Sequence, residues 1–374
     1  MRAESDRVVG GRYRLTDDRQ PSAAGEPLDA VDLRDGTPVR LEPLELPEVL
    51  APDLYGSESP GPGRWLDPAE VLAAATAAID GCPEHPRLQQ AFAALAEEGV
   101  LWCAVERPAA VGLPARLAGG ALPPYRVAEL AADLARALRA VHRAGRVHGK
   151  VLAQTVLLCE DGAALLGGHA SGAAEETLAR TLGGPDGRRW VPVRAELVGP
   201  RAERWAPELL AAPGPVAEPG QPADCWALGV LLYRLLTGRG PFPEHTPAAL
   251  FAAVRAGGPE GTADCGPLRP LVDRLLDPDP AARLTAEEAV LVLAELLANA
   301  PEPYPEERPA EEPLPVPRPA GRLVRWRRGA AEAVPSEHAR HARHRPSTLL
   351  PVLLVVGVLT ATLLALTAIV WLAG

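Results

Sequence analysis

The sequence predicts an α+β domain with strands before helices, then an extended linker and a C-terminal helix long enough to cross a bilayer. Three observations carry this. Strand-like alternation fills Tyr13-Arg14-Leu15, Pro27 to Val31 and Thr37 to Leu44, and Asp35-Gly36 makes a hairpin turn between the last two. Helical spacing follows: Val127, Leu130, Leu134, Leu138 and Val141 recur every three or four residues, and Cys225 to Leu236 is apolar on nearly every face. Thr348 to Ala373 is 26 residues without a charge; at 1.5 Å per residue it would be about 39 Å long, enough for a ~30 Å hydrocarbon core with tilt.

The chain has 374 residues and a formal charge of −10, which argues against wholesale nucleic-acid binding. Lys150 is its only lysine, so arginine carries the basic charge, a skew expected of a GC-rich bacterial source. Cys82, Cys103, Cys159, Cys225 and Cys265 show no CxxC or metal-ligand spacing. They read as small buried hydrophobes in a reducing compartment. No metal site is expected.

Taken in order, residues 1–10 read as a short tail, and MRAESDRVV lacks the apolar core of a signal peptide. Asp67 to Ile79 is an Ala-rich helix, with Asp67 as N-cap and Pro68 at its first position. Val100 to Val105 reads as a strand. After the helix that ends near Val141, the chain turns at Gly145 and runs through a loop into Val156-Leu157-Leu158. A turn at Asp161-Gly162 brings it back along a second apolar run. Ser171 to Arg204 is polar and punctuated by Gly and Pro, as a loop is, and Ala206-Pro207-Glu208 follows it. The helix opening at Asp224 is too short to span a bilayer and reads as buried core, with Gly238 as its C-cap. Leu271 to Arg283 is a further helix and its exit. Pro301 to Pro319 is a Pro/Glu-rich extended linker. Gly321 to Arg345 holds seven arginines and three histidines against two glutamates.

The stretch Val141 to Ala170, with His148 and the run Val156 to Leu158, resembles the catalytic and metal-binding loops of eukaryotic-type Ser/Thr protein kinases as found in bacteria. Ala206-Pro207-Glu208, Asp224 to Gly238 and Arg283 extend the resemblance over roughly residues 11–299. It implies a two-lobed protein-kinase-like fold, with a β-rich N-lobe at about 11–106 and an α-helical C-lobe at about 107–299. A juxtamembrane linker at 300–347 and a transmembrane helix at 348–373 complete the expected organisation. Glu84-His85-Pro86 matches the turn after the family's N-lobe helix, and Glu106 falls where its hinge begins. The resemblance also implies structural roles for Glu208, Asp224 and Arg283, with a salt bridge between Glu208 and Arg283.

The catalytic positions of that family are changed. Phosphoryl transfer needs a lysine and metal ligands to gather phosphates and magnesium, and an aspartate to accept the substrate proton. Glu42 stands at the lysine position, Lys150 at the catalytic Asp and Thr155 at the metal-binding Asn. Gly168 stands at the DFG Asp, or Gly167 if the hairpin is one residue shorter. The Gly-rich loop is reduced to Gly25 within DDRQPSAAGE, and Gly199-Pro200 replaces a Gly-Thr element. No change of register recovers a lysine in the N-lobe. Arg40 is the one nearby displaced cation and reads as an ordinary strand arginine. Glu70 lies in a first helical turn and reads as serving the dipole rather than a missing lysine. Lys150 is a poor base at its reference pKa of about 10.4, and Glu160 and Asp161 read as solvated turn acids.

The resulting expectation is a membrane-anchored pseudokinase, a scaffold or regulator in bacterial Ser/Thr kinase signalling, without catalytic activity or cofactor. One alternative is an atypical active Ser/Thr kinase or nucleotide-transfer enzyme using ATP and magnesium, with Gly25, Glu106 and Lys150 as cleft candidates. A second is a structural membrane-associated domain that binds a non-nucleotide ligand. Protein partners are expected, including an active Ser/Thr kinase that could phosphorylate Thr177 or Thr181 near Arg180 or Arg188-Arg189. Arg322 to Arg345 would contact anionic lipid and hold the domain on the cytoplasmic side of the cell membrane.

Overall fold

The computed structural model describes residues 7–16, 26–46, 67–117, 120–183, 204–210, 219–243, 245–257, 259 and 261–301. Gly25, Arg188-Arg189, the linker from Glu302, Arg322 to Arg345 and the apolar stretch 348–373 lie outside them. No helix among the described residues is long and apolar enough to cross a membrane.

The first part is a six-stranded antiparallel sheet in the order β1-β2-β3-β4-β6-β5. Its strands are β1 Val8–Val9, β2 Tyr13–Leu15, β3 Leu28–Asp32, β4 Pro38–Glu45, β5 Ala91–Glu97 and β6 Val100–Glu106. Strand β6 shows why the sheet sits where it does. Trp102 and Ala104 pack with Tyr13, Leu28 and Leu41 on one face. Leu101, Cys103 and Val105 face the other way, onto Val71, Ala75 and Ile79 of helix α1, Pro68–Gly81. The alternation follows from side chains pointing to opposite faces of a strand. Asp67 caps α1 by accepting from the Ala69 N–H at 2.9 Å.

Two readings of this part change. Residues 1–10 are not all tail, because Val8-Val9 pairs with β2 across Gly10 and Gly11, whose φ of 58° and 61° make the tight turn. Strand β5 carries no β-branched residue, so its composition hid it; pairing with β6 along its length holds it in the sheet.

The second part is helical: β7 Ala110–Gly112, α2 Leu113–Leu117, α3 Pro124–Arg143, β8 Val156–Cys159, β9 Ala164–Leu166, α4 His169–Gly183, α5 Gln221–Thr237, α6 Pro247–Ala256, α7 Arg269–Leu275 and α8 Ala286–Ala298. Strands β7, β8 and β9 form a small antiparallel sheet. Helix α5 is buried on nearly every side and ends at Gly238, whose φ of 73° gives the left-handed cap. Residues of α3, α5, α7 and α8 share one apolar core. All five cysteines are free thiols; four are buried and Cys159 is partly exposed.

The largest correction concerns Ser171 to Arg204. Its first third is not a loop but helix α4. Ala170, Ala174 and Leu178 recur every four residues and bury against Val71, Ala75 and Ile79 of α1. Gly172, which falls inside the helix, is tolerated because that apolar stripe finds a partner.

Candidate functional site

The loop between α3 and β8 is fixed by Asp224, which lies buried in the first turn of α5. Its carboxylate accepts the backbone N–H of His148 at 2.7 Å, the N–H of Gly149 at 2.8 Å and a contact from His142 Nε2 at 2.9 Å. Burial pushes the Asp224 carboxyl up, but the His142 hydrogen bond and the nearby His148 outweigh it and the net direction is down. His148 is buried and packs against His169 with ring centroids 5.4 Å apart. Burial, then His169, push its pKa down to about 3, so its ring is neutral at ordinary pH. Its Nδ1 accepts the Lys150 N–H at 3.3 Å.

This pinned loop aims Lys150 at helix α4. Its Nζ lies 2.5 Å from Glu175 Oε1 and 3.3 Å from Ser171 Oγ. The other Glu175 oxygen accepts from Arg204 Nη2 at 2.9 Å. All three charged side chains are mostly buried, at 13 %, 12 % and 6 % exposure for Lys150, Glu175 and Arg204. Burial works against ionising Glu175, but Lys150 and Arg204 prevail and hold its pKa down at about 2. Glu42, opposite Cys103 in the β4–β6 register, enters the same cluster through Ser171, whose hydroxyl donates to Glu42 Oε2 at 3.1 Å. Burial raises the Glu42 carboxyl's pKa against the opposing pull of Lys150.

Glu42, Lys150, Thr155 and Gly168, the positions singled out by the family resemblance, therefore come together in space. Thr155 Oγ1 lies 2.8 Å from the Lys150 carbonyl and 2.9 Å from that of Leu152, closing its own turn. Gly168 has φ of 83°, and a Cβ there would sit 2.6 Å from Thr155 Cγ2. At Gly167 a Cβ would come within 2.0 Å of Gln89 Oε1. Neither register of the metal-binding loop accepts an aspartate without rearrangement. At the hinge position, the Glu106 N–H donates to Gln90 O at 2.7 Å and its carbonyl accepts from Gln89 Nε2 at 2.7 Å. Among the described residues, no group of three His, Cys, Asp or Glu is placed to hold a metal ion.

Residues outside the cluster fall where their chemistry directs. Arg40 pairs with Asp29 at 3.4 Å, and Glu70 is exposed in the first turn of α1. Asp161 accepts the Ala163 N–H at 2.9 Å as a turn acid does. Glu160 is not a solvated turn acid: both its carboxylate oxygens are buried, with no hydrogen-bond partner among the described residues. Thr177 and Thr181 lie on α4, and the Thr181 hydroxyl donates to Thr177 O at 2.9 Å. Arg283 donates to both oxygens of Glu208 at 2.8 and 3.0 Å.

Sequence reasoning missed Ser171, Glu175 and Arg204. No motif position marks them. The one signal was the acid pair Glu175-Glu176 beside the four-residue apolar repeat of Ala170, Ala174 and Leu178.

No family model matches the chain. Short segments do match curated proteins. The chain is 45 % identical over 75 residues to Tribbles homolog 1 of Homo sapiens, covering 19 % of this chain and 20 % of that protein. It is 43 % identical over 74 residues to CBL-interacting protein kinase 25 of Oryza sativa subsp. japonica, 18 % of this chain and 14 % of that one. It is 37 % identical over 83 residues to serine/threonine-protein kinase 40 of Gallus gallus, 21 % and 19 % respectively. The chain thus spans about a fifth or less of the length of these relatives. These segments are similar to Tribbles homologues and Ser/Thr protein kinases, and the sheet-then-helices architecture is consistent with a kinase-like fold.

Proposed function

We propose that this chain is a membrane-anchored pseudokinase that regulates or scaffolds Ser/Thr kinase signalling in a bacterium. One observation carries the catalytic part of this reading: Lys150, at the position of the proton acceptor, is bound to Glu175 of the chain's own helix α4. An ammonium held in a buried ion pair takes no proton from a substrate hydroxyl. Glu42 repels phosphate where a cation is required, and Thr155 and Gly168 offer magnesium no carboxylate or amide. Losing these groups removes parts that act as a unit, so restoring one restores nothing.

Membrane attachment is supported by the 26 uncharged residues of Thr348 to Ala373, and the orientation by the seven arginines before them. The domain then lies on the cytoplasmic side and acts through protein contacts. The test is thermal unfolding of the full-length protein titrated with ATP, with and without magnesium, beside a phosphate-transfer assay. We expect no magnesium-dependent shift and no transfer. Transfer by the wild-type protein that is lost in Lys150→Ala, with contaminating kinase excluded, overturns the reading.

A further inference from the structure

We propose that α4 is a latch, hinged at Gly167–Gly168 and pinned by Ser171, that holds the cleft shut without a nucleotide. The inference rests on the pseudokinase reading above and names what sets the state of the cleft in place of ATP. The buried Ser171 hydroxyl joins three elements. It belongs to α4, lies 3.1 Å from Glu42 Oε2 on β4, and accepts from Lys150 Nζ at 3.3 Å on the loop before β8. The pin holds in either protonation state of Glu42. An ionised carboxylate accepts the hydroxyl proton. A protonated one donates to Ser171 Oγ, whose own proton then goes to the Gly168 carbonyl at 3.2 Å.

The other contacts of α4 act in the same sense. Lys150 pairs with Glu175 one turn beyond Ser171, and Ala170, Ala174 and Leu178 bury against Val71, Ala75 and Ile79 of α1. The attachment of α4 to β9 is of another kind. Strand β9 ends at Leu166, whose N–H donates to Arg87 O and whose carbonyl accepts from the Gln89 N–H, both at 2.9 Å. Helix α4 begins at His169, so two glycines alone separate it from that anchored residue. Gly168 has φ of 83°, a conformation open to glycine and costly for other residues. A helix joined to a fixed strand by two glycines can move as one body, with the joint absorbing the change in φ and ψ. Its position is then set by side chains of β4, α1 and the Lys150 loop. Release of α4 uncovers Lys150 and the apolar face of α1 together.

The experiment uses the fact that Lys150 is the only lysine of the chain. The full-length protein is treated with an amine-reactive ester, and labelling of Lys150 is read by mass spectrometry against the α-amino group. Hydrogen exchange of the Ala174 and Leu178 amides is followed in parallel. Ser171→Ala removes the pin. Glu42→Leu removes its far end and leaves Ser171 and Lys150 in place, whereas Glu42→Gln keeps an acceptor for the hydroxyl. Leu250→Ala, in the buried face of α6, controls for a general loss of stability. We expect Ser171→Ala and Glu42→Leu to raise Lys150 labelling and α4 exchange by about tenfold over the wild type. Glu42→Gln should stay close to the wild type, and Leu250→Ala should raise neither readout to that extent. Labelling and exchange unchanged in the two latch variants, or raised equally by Leu250→Ala, would refute the latch. If Glu42→Leu does not fold, exchange in Ser171→Ala decides: unchanged Ala174 and Leu178 amides refute the latch. Protection of Lys150 by magnesium-ATP in the wild type would instead overturn the pseudokinase reading on which the latch rests.

Discussion

Arg283 places its guanidinium between the Glu208 carboxylate and the carbonyls of Pro222 and Asp277, and over the Trp226 ring at 5.2 Å. Its side chain is 0 % exposed, whereas Glu208 keeps 24 %. Truncating the acid strands a buried cation, so Glu208→Ala should cost about 3 kcal/mol in urea unfolding. Glu208→Gln, which keeps a hydrogen-bond acceptor, should cost less; equal losses would mean that charge is irrelevant to the contact. Gly168 gives the second prediction at this scale. An aspartate there puts a side chain at φ of 83° and a Cβ 2.6 Å from Thr155 Cγ2. Gly168→Asp should destabilise by roughly 1–3 kcal/mol and should give no magnesium-dependent ATP shift. A stable variant that binds Mg-ATP would contradict both halves.

At the scale of elements, α4 joins α1 to the loop that carries Lys150. It is held to α1 by Ala170, Ala174 and Leu178 and to the catalytic-position loop by Glu175. Leu178 is fully buried, so Leu178→Ala should cost about 3 kcal/mol. Thr177 and Thr181 are half-buried on this helix, and the Thr181 hydroxyl already serves the helix backbone. A kinase acting in trans must unwind α4 to reach them, and a phosphate added mid-helix would meet Glu176 as well as Arg180. Loosening the helix with Leu178→Ala should therefore raise labelling of both threonines by an added active Ser/Thr kinase. Phosphopeptide mapping that finds equal labelling in wild type and variant would show that α4 does not protect them. Strand β5 and helix α4 mark where local sequence misled. Strand β5 has no β-branched residue and is held by its hairpin partner β6, whereas α4 carries a loop-like Gly and is held by α1, far along the chain.

For the whole molecule, the buried ionisable groups predict acid lability. His148 stays neutral in the fold down to about pH 3 but gains a proton from about 6.5 when unfolded, so its contribution falls as pH drops through that window. Each pH unit within it removes on the order of 1 kcal/mol. Glu175, held at about 2, adds a loss below its ordinary value of 4.5. Glu42 acts in the opposite sense: its raised pKa means that stability is lost as pH rises through its folded value. Stability should thus decline from pH 6.5 downward, and His148→Gln should flatten the first part of that decline; an unchanged pH profile would remove His148 as its source. Topology supplies the other molecular prediction. Protease added outside intact cells should leave residues 1–340 whole, and their digestion would reverse the proposed orientation.

What the sequence determined by itself was most of the strands and helices and the residue identities at the positions the family resemblance aligns with catalytic groups. Helix periodicity, the Asp67 and Gly238 caps and the Asp161-Gly162 turn are local properties, and the identities at Glu42, Lys150, Thr155 and Gly168 can be read directly. The Glu208–Arg283 pair was legible too, because a family motif names both ends. The destination of Lys150 was left to the tertiary structure. An ammonium's partner depends on which carboxylate folding carries within a few ångströms of it, and Glu175 comes from a helix that exists only because its apolar stripe packs on α1. Arg204, 29 residues beyond Glu175, completes the cluster by the same kind of non-local contact, one that no spacing rule encodes.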